Sequence, residues 1–101
     1  MNLLKETIDC LLVHRKTPED VQFVTDGVYF CSFEYFTIAA KDFNYNNGYG
    51  IVQVNAALAI VGDDWWLERV EYNGSEWWSY KTKPNREKPL SGCRTLKLIE
   101  E

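Results

Sequence analysis

The fold is decided by residues 65–82, which read WWLERVEYNGSEWWSYKT. Two aromatic-rich runs flank Asn73-Gly74, and an Asn-Gly pair favours the type I′ turn that joins antiparallel strands through a two-residue loop. We therefore expect a β-hairpin centred on this turn. The turn also sets the register, which predicts three diagnostic cross-strand pairs: Tyr72 with Ser75, Val70 with Trp77, and Leu67 with Tyr80.

The hairpin should carry large apolar side chains on both faces. Neighbouring residues of a strand point to opposite sides, so each Trp-Trp pair places one ring on each face. The first face is the one that we expect to pack on helices, because its apolar part is continuous. It carries Trp65, Leu67, Trp78 and Tyr80, with Arg69, Glu71 and Glu76 towards the tip.

The second face is the candidate partner-binding surface. It carries Trp66, Glu68, Val70, Tyr72 and Trp77. A buried carboxylate without a partner is costly, so Glu68 should keep this face near water or opposite a matching polar group. Two interpretations stay open. Either the C-terminal segment covers this face as part of the core, or the face binds a partner, because Trp and Tyr are enriched at binding hot spots.

Two helices are predicted before the hairpin. Apolar residues at helical spacing predict a first helix over residues 2–13, with an apolar stripe formed by Leu3, Leu4, Ile8, Leu11 and Leu12. Thr17-Pro18 predicts a short helical turn. Ser32 is a capping residue for a second helix that runs to about Lys41, with its apolar stripe formed by Phe33, Phe36, Ala40 and Phe43.

The remaining strands follow from turn residues. Asp26-Gly27 predicts a two-residue hairpin loop between residues 21–25 and 28–31, and residues 58–61 form a further strand. Residues 95–99 either add an edge strand or belong to a mobile tail. The whole order predicts one small α+β domain over residues 1–101, with an antiparallel sheet, about two helices on one face and a basic segment at 82–101.

Charge is unevenly distributed along the chain. The net charge is −4, yet residues 81–97 hold six basic side chains and one acidic one. A single-stranded nucleic-acid site would use this basic segment and nearby aromatics, with contacts from Lys81, Lys83, Arg86 and Lys88. Three acidic residues of the hairpin would repel phosphate, and they split the electrostatic footprint. They are Glu68, Glu71 and Glu76.

Catalytic and metal-binding constellations are sparse. The single histidine, His14, lies at the basic end of the first helix, where we expect an exposed residue that favours the helix dipole. A hard cation needs many oxygen ligands at loop spacing, which makes a metal-dependent enzyme only a third alternative. Its candidate ligands are Asp63, Asp64 and Glu68. We predict no catalytic residue, no metal and no cofactor.

The three cysteines are odd in number and widely spaced, which predicts reduced thiols in a cytoplasm. They are Cys10, Cys31 and Cys93. Charged residues interrupt the first apolar stretch, so we expect neither a signal peptide nor a membrane partner. Gly48-Tyr49-Gly50 lacks the residues of a phosphate-binding loop and predicts a flexible turn.

Residues 60–81, IVGDDWWLERVEYNGSEWWSYK, resemble a family of small, uncharacterised proteins carried by phages and prophages of Gram-positive bacteria. The resemblance rests on Asp-Trp-Trp-Leu-Glu-Arg followed by Glu-Tyr-Asn-Gly-Ser-Glu-Trp-Trp, and more weakly on the first helix, Lys16-Thr17 and Gly48-Tyr49-Gly50. Asn73 and Ser79 stand where acidic residues are expected. These departures affect the charge of the outer hairpin surface rather than the fold.

The resemblance implies a setting rather than an activity. Small acidic phage proteins often bind host or phage proteins, and some inhibit bacterial defence systems such as CRISPR nucleases. We therefore expect a non-catalytic accessory protein in the cytoplasm of the host cell, with a macromolecular partner such as a defence component. The alternative is a module that binds single-stranded nucleic acid or RNA. The oligomeric state stays open, and a homodimer is one option.

Overall fold

The computed structural model describes residues 1–46 and 51–84. It has two helices and a five-stranded antiparallel sheet, which confirms the α+β class. In chain order the elements are α1 (Leu3–Val13), a 3₁₀ turn (Pro18–Asp20), β1 (Phe23–Thr25), β2 (Phe30–Cys31), α2 (Phe33–Ala40), β3 (Ala59–Val61), β4 (Trp65–Tyr72) and β5 (Ser75–Thr82).

The sheet has the strand order β2-β1-β3-β4-β5, and the β4–β5 hairpin is its longest part. Asn73 and Gly74 both have positive φ, at 51° and 83°, which is the backbone conformation that a type I′ turn requires. The predicted register is confirmed throughout. The diagnostic pairs occur as expected: Tyr72 with Ser75, Val70 with Trp77, and Leu67 with Tyr80.

Side-chain caps begin both helices. The Asn2 side chain accepts a hydrogen bond from the Lys5 backbone N–H, and the Ser32 hydroxyl does the same for Tyr35. α1 fully buries Leu3, Thr7 and Leu11, and the predicted stripe residues Leu4 and Ile8 are half-buried against the core. Leu12 is the exception to the predicted stripe, because it is 62% exposed. In α2 the predicted stripe is buried as far as Ala40, whereas Phe43 lies beyond the helix and is partly exposed.

The first hairpin differs from the prediction. Thr25 pairs with Phe30, so the loop between β1 and β2 spans four residues, 26–29, rather than two. The cause is the Asp26 side chain, whose carboxylate accepts hydrogen bonds from the backbone N–H groups of Val28 (2.9 Å) and Tyr29 (2.7 Å). An Asx-type turn of this kind competes with the two-residue loop.

The core lies between the helices and one face of the sheet. Its centre is formed by Ile60 and Leu67, both 0% exposed, on the adjacent strands β3 and β4. Gly62 allows the Trp65 ring to pack against the backbone, because a Cβ at this position would overlap with the Trp65 indole. No helix in residues 1–46 or 51–84 is long and apolar enough to cross a bilayer. Several predicted features lie outside the described residues: Gly48-Tyr49-Gly50, Cys93, Arg86, Lys88, Arg94, Lys97 and the strand at 95–99.

Candidate functional site

The outer face of the β4–β5 hairpin is the face turned away from the helices. The structure places all five predicted partner-binding residues on it, as the register requires. Tyr72 is 70% exposed and Trp77 is 41% exposed. Trp66, Glu68 and Val70 are half-buried. The site is therefore an aromatic surface whose exposed part lies nearest to the turn.

Glu68 has a partner within the outer face itself. The Trp66 indole N–H donates a hydrogen bond of 3.1 Å to its carboxylate. Glu68 was expected to keep this face near water or opposite a matching polar group. It is half-buried, and its polar partner is the Trp66 indole of the same face. The bond also restricts the orientation of the Trp66 ring.

The inner face of the hairpin shows the opposite environment. Trp65, Leu67 and Trp78 are buried. The Trp78 indole N–H donates to the Thr7 hydroxyl at 2.9 Å, and that hydroxyl donates to the Leu3 carbonyl at 2.7 Å. Neighbouring tryptophans of β5 therefore differ in role, because one is anchored under α1 and the other faces outward.

The prediction for His14 was wrong in one respect. His14 ends α1 as expected, but it is half-buried rather than exposed. Its ring stacks on Tyr80 with centroids 4.0 Å apart and planes 6° apart, and Tyr80 in turn stacks on Trp65. Packing of the helix end against β5 accounts for the difference. The imidazole thus covers an aromatic edge of the inner face.

A buried ion-pair cluster that was not predicted from the sequence lies on the inner face, near the turn. The Arg69 guanidinium, with a side chain only 3% exposed, contacts the carboxylates of Glu6 (3.1 Å) and Glu76 (3.2 Å). It also donates to the Tyr45 hydroxyl at 3.2 Å. The predicted register had placed Arg69 and Glu76 on the same face. Their opposite charges were the one sequence signal from which this ion pair could have been predicted.

Glu76 was expected to be a surface carboxylate that repels phosphate, and this was wrong. It is 1% exposed, and besides Arg69 it accepts hydrogen bonds from the backbone N–H groups of Gln53 (2.7 Å) and Val54 (3.0 Å). The carboxylate thus holds an irregular segment against the hairpin. Its charge is compensated inside the protein, so it adds no repulsion at the outer surface.

Tyr45 joins this cluster to α1. Its hydroxyl donates a 2.6 Å hydrogen bond to Glu6. Burial, and then this hydrogen bond to a carboxylate, raise the pKa of Tyr45 to about 12. A folded-state pKa above the ordinary value of 10 means that this contribution to stability is complete below pH 10 and is lost as the pH rises towards 12.

We expect the free energy of unfolding to fall between pH 10 and 12 as Tyr45 ionises beside Glu6. Urea unfolding across this range, with tyrosine ionisation followed by ultraviolet absorbance, measures the effect. The Tyr45→Phe variant is the matched control and should show a flatter profile in the same range. Identical profiles for the two proteins would contradict this assignment.

A second apolar surface lies where β2 meets α2. A groove of about 550 Å³ opens there, and the described residues that line it include a single charged residue, Asp26. Its rim contains exposed aromatic side chains: Tyr29, Phe30 and Tyr35. This surface was not among the predicted sites, because the residues of β2 were predicted to be ordinary strand residues.

The alternative nucleic-acid site is only partly described. Lys81 lies directly opposite Trp66 in the register and is exposed, and Lys83 is exposed beyond the end of β5. The other two predicted contacts, Arg86 and Lys88, lie outside the described residues. Glu68 lies on the same face as Lys81. Its negative charge would repel a phosphate group that Lys81 attracts.

The candidate metal ligands are not brought together. Among the residues that the structure describes, no group of three or more His, Cys, Asp or Glu side chains is placed to hold a metal ion. Asp63 is instead within 3.5 Å of the Gln22 amide, and Glu68 accepts from Trp66. Cys10 and Cys31 are free thiols, and burial raises the pKa of both.

Comparisons with protein-family models, with curated proteins and with solved structures find no match for this chain.

Proposed function

We propose that the protein is a non-catalytic binding protein of phage or prophage origin that engages a protein of the bacterial host, a component of a defence system. The observation that carries the proposal is the outer hairpin face, where Trp77 and Tyr72 remain exposed although the inner face supplies the core. Exposed Trp and Tyr in a cluster are typical of interface hot spots. The phage setting and the defence role come from the sequence resemblance.

The outer face has the composition of a protein-binding surface. The part nearer the turn is aromatic and apolar, with Val70 opposite Trp77. The Glu68 carboxylate accepts a hydrogen bond from Trp66, and the aromatic rings stand on two long paired strands. Such rings add contact area at a low cost in conformational entropy. A rigid strand platform therefore favours recognition of a flat or grooved protein surface.

The proposal is tested by affinity capture from a Gram-positive host lysate with the full chain immobilised, followed by quantification of the retained protein. Trp77→Ala should reduce the affinity for that protein by about 30-fold or more, which corresponds to a hot spot of at least about 2 kcal/mol. Tyr72→Ala should act in the same direction. The matched control is Val13→Ala, which removes an exposed apolar side chain from the end of α1 and should leave capture unchanged.

Equal capture by Trp77→Ala and the parent protein would contradict the proposed surface. A loss shared equally by Val13→Ala would show that capture is non-specific hydrophobic adsorption, which also contradicts the proposal.

Binding to single-stranded nucleic acid is the competing function, and the position of Lys81 opposite Trp66 favours it. The two proposals differ in their dependence on salt, because phosphate contacts weaken steeply as salt increases. Retention of a single-stranded oligonucleotide at low salt, lost at higher salt and reduced by Lys81→Ala, would support the nucleic-acid function. A protein partner held equally well across that salt range supports the function proposed here.

A further inference from the structure

We infer that a second copy of this chain docks on the β2–α2 patch, so that the protein forms a symmetric dimer through an edge of the sheet distant from the outer hairpin face. The patch is defined by five exposed apolar side chains: Val28, Tyr29, Phe30, Tyr35 and Ile38. The proposal does not depend on the binding function, because it uses other residues.

The patch exposes a large amount of apolar surface. The five side chains are between 62% and 80% exposed, and Tyr35 and Ile38 lie on one side of α2 because they are three residues apart. At roughly 150–250 Å² for each aromatic side chain, the patch offers on the order of 700 Å². This summed area approaches the roughly 800 Å² that each partner buries in a standard interface.

The edge of the described sheet offers backbone groups for pairing. β2 is the terminal strand of the described sheet, and Asp26 N–H donates to the Tyr29 carbonyl across the β1–β2 ladder. Because hydrogen-bonded and non-hydrogen-bonded pairs alternate, the Thr25–Phe30 pair is non-hydrogen-bonded. The N–H and C=O groups of Phe30 therefore point outward, where they can pair with those of another strand.

A second copy of the chain fits this edge and groove through two-fold symmetry. A two-fold axis beside Phe30 would pair this residue with the Phe30 of the second copy, so that each satisfies the other's outward N–H and C=O groups. Such an isologous contact places the same patch on both sides. The described lining of the groove is mostly apolar, includes four aromatic residues and holds one charged residue. This matches the apolar, charge-depleted character of homodimer interfaces and disfavours a nucleic acid or a highly charged peptide.

The shape of the patch fits this arrangement as well. The groove of about 550 Å³ lies beside protruding side chains, of which Val28 is 80% exposed. Reciprocal insertion of side chains from one copy into the groove of the other would bury both at once. Two copies joined in this way would keep their outer hairpin faces at the far edge of each sheet, since β4 and β5 lie at the opposite end of the strand order.

Sedimentation equilibrium of the full chain over micromolar to millimolar concentrations tests the proposal. The parent protein should approach twice the chain mass of 11.8 kDa. Phe30→Arg should raise the dimer dissociation constant by at least about tenfold, because it places two like charges beside the axis. Tyr35→Arg should do the same from α2, and Val13→Arg, an equally exposed apolar residue of α1, should leave the dissociation constant unchanged.

A parent protein that stays monomeric over the whole concentration range would overturn the proposal. An equal effect of all three arginine variants would overturn it too, because association would then not be specific to the patch. Capture of the host protein through Trp77 is measured separately, so failure of the dimer and failure of the proposed function are distinguishable.

Discussion

Arg69→Met should lower the free energy of unfolding by about 3–5 kcal/mol, the usual cost of removing one partner from a buried ion pair. The substitution keeps a long apolar side chain but removes the cation that pairs with the carboxylates of Glu6 and Glu76. Because Glu76 is only 1% exposed, water cannot replace that cation. The remaining hydrogen bonds from Gln53 and Val54 would stabilise the Glu76 carboxylate only in part. Urea unfolding at pH 7 measures the loss.

The matched control for Arg69 is Lys5, which also pairs with a carboxylate. Lys5 and Asp9 form an i,i+4 ion pair at 2.9 Å, and their side chains are 76% and 58% exposed. Lys5→Met should cost no more than about 0.5 kcal/mol, because exposed helix pairs contribute little. Similar losses for the two variants would contradict the claim that burial makes the Arg69 cluster important for folding.

Leu67→Ala should destabilise the protein by about 2–5 kcal/mol, from lost burial and the cavity that remains. Leu67 is 0% exposed and lies between Ile60 on β3 and Tyr80 on β5, so neither neighbouring strand can collapse into the space. Leu12→Ala makes the same chemical change at a side chain that is 62% exposed. It should cost within about 0.5 kcal/mol, as surface substitutions usually do.

A comparable loss for Leu12→Ala would mean that the exposed side of α1 is covered by another part of the molecule. A loss below about 1 kcal/mol for Leu67→Ala would place the core elsewhere, because Leu→Ala at a fully buried position costs more.

The hairpin was predictable because its determinants are local. Asn73-Gly74 favours one turn type, that turn fixes the register, and alternation along the strands then assigns every side chain to a face. The burial of Trp65, Leu67 and Trp78 against the exposure of Tyr72 and Trp77 agrees with this reasoning. The caps at Asn2 and Ser32 are likewise short-range features.

The features that sequence reasoning missed depend on contacts between distant segments. Arg69 is joined to Glu6, 63 residues away, and Glu76 to the backbone at residues 53 and 54. Periodicity places these groups on a face but does not show which charges a fold brings together. The predicted loop length of the first hairpin was wrong for a local reason. The Asp26 carboxylate accepts hydrogen bonds from two backbone amides and so stabilises a longer loop.

The exposure of the β2–α2 patch also could not be predicted from the sequence. Hydrophobic residues in a short strand are ordinarily assigned to the core, and here Tyr29 and Phe30 are 75% and 79% exposed because β2 lies at the edge of the described sheet. Strand order determines which apolar residues are covered, and strand order follows from tertiary pairing.

The hairpin divides its aromatic residues between a core face and an outer face. Urea unfolding of Trp77→Ala beside Leu67→Ala tests this division. Trp77 is 41% exposed and pairs with Val70, so its loss should cost within about 1 kcal/mol, the scale of one cross-strand pair, while Leu67→Ala loses at least about 2 kcal/mol. A large loss for Trp77→Ala with little change for Leu67→Ala would mean that the two faces are assigned the wrong way round.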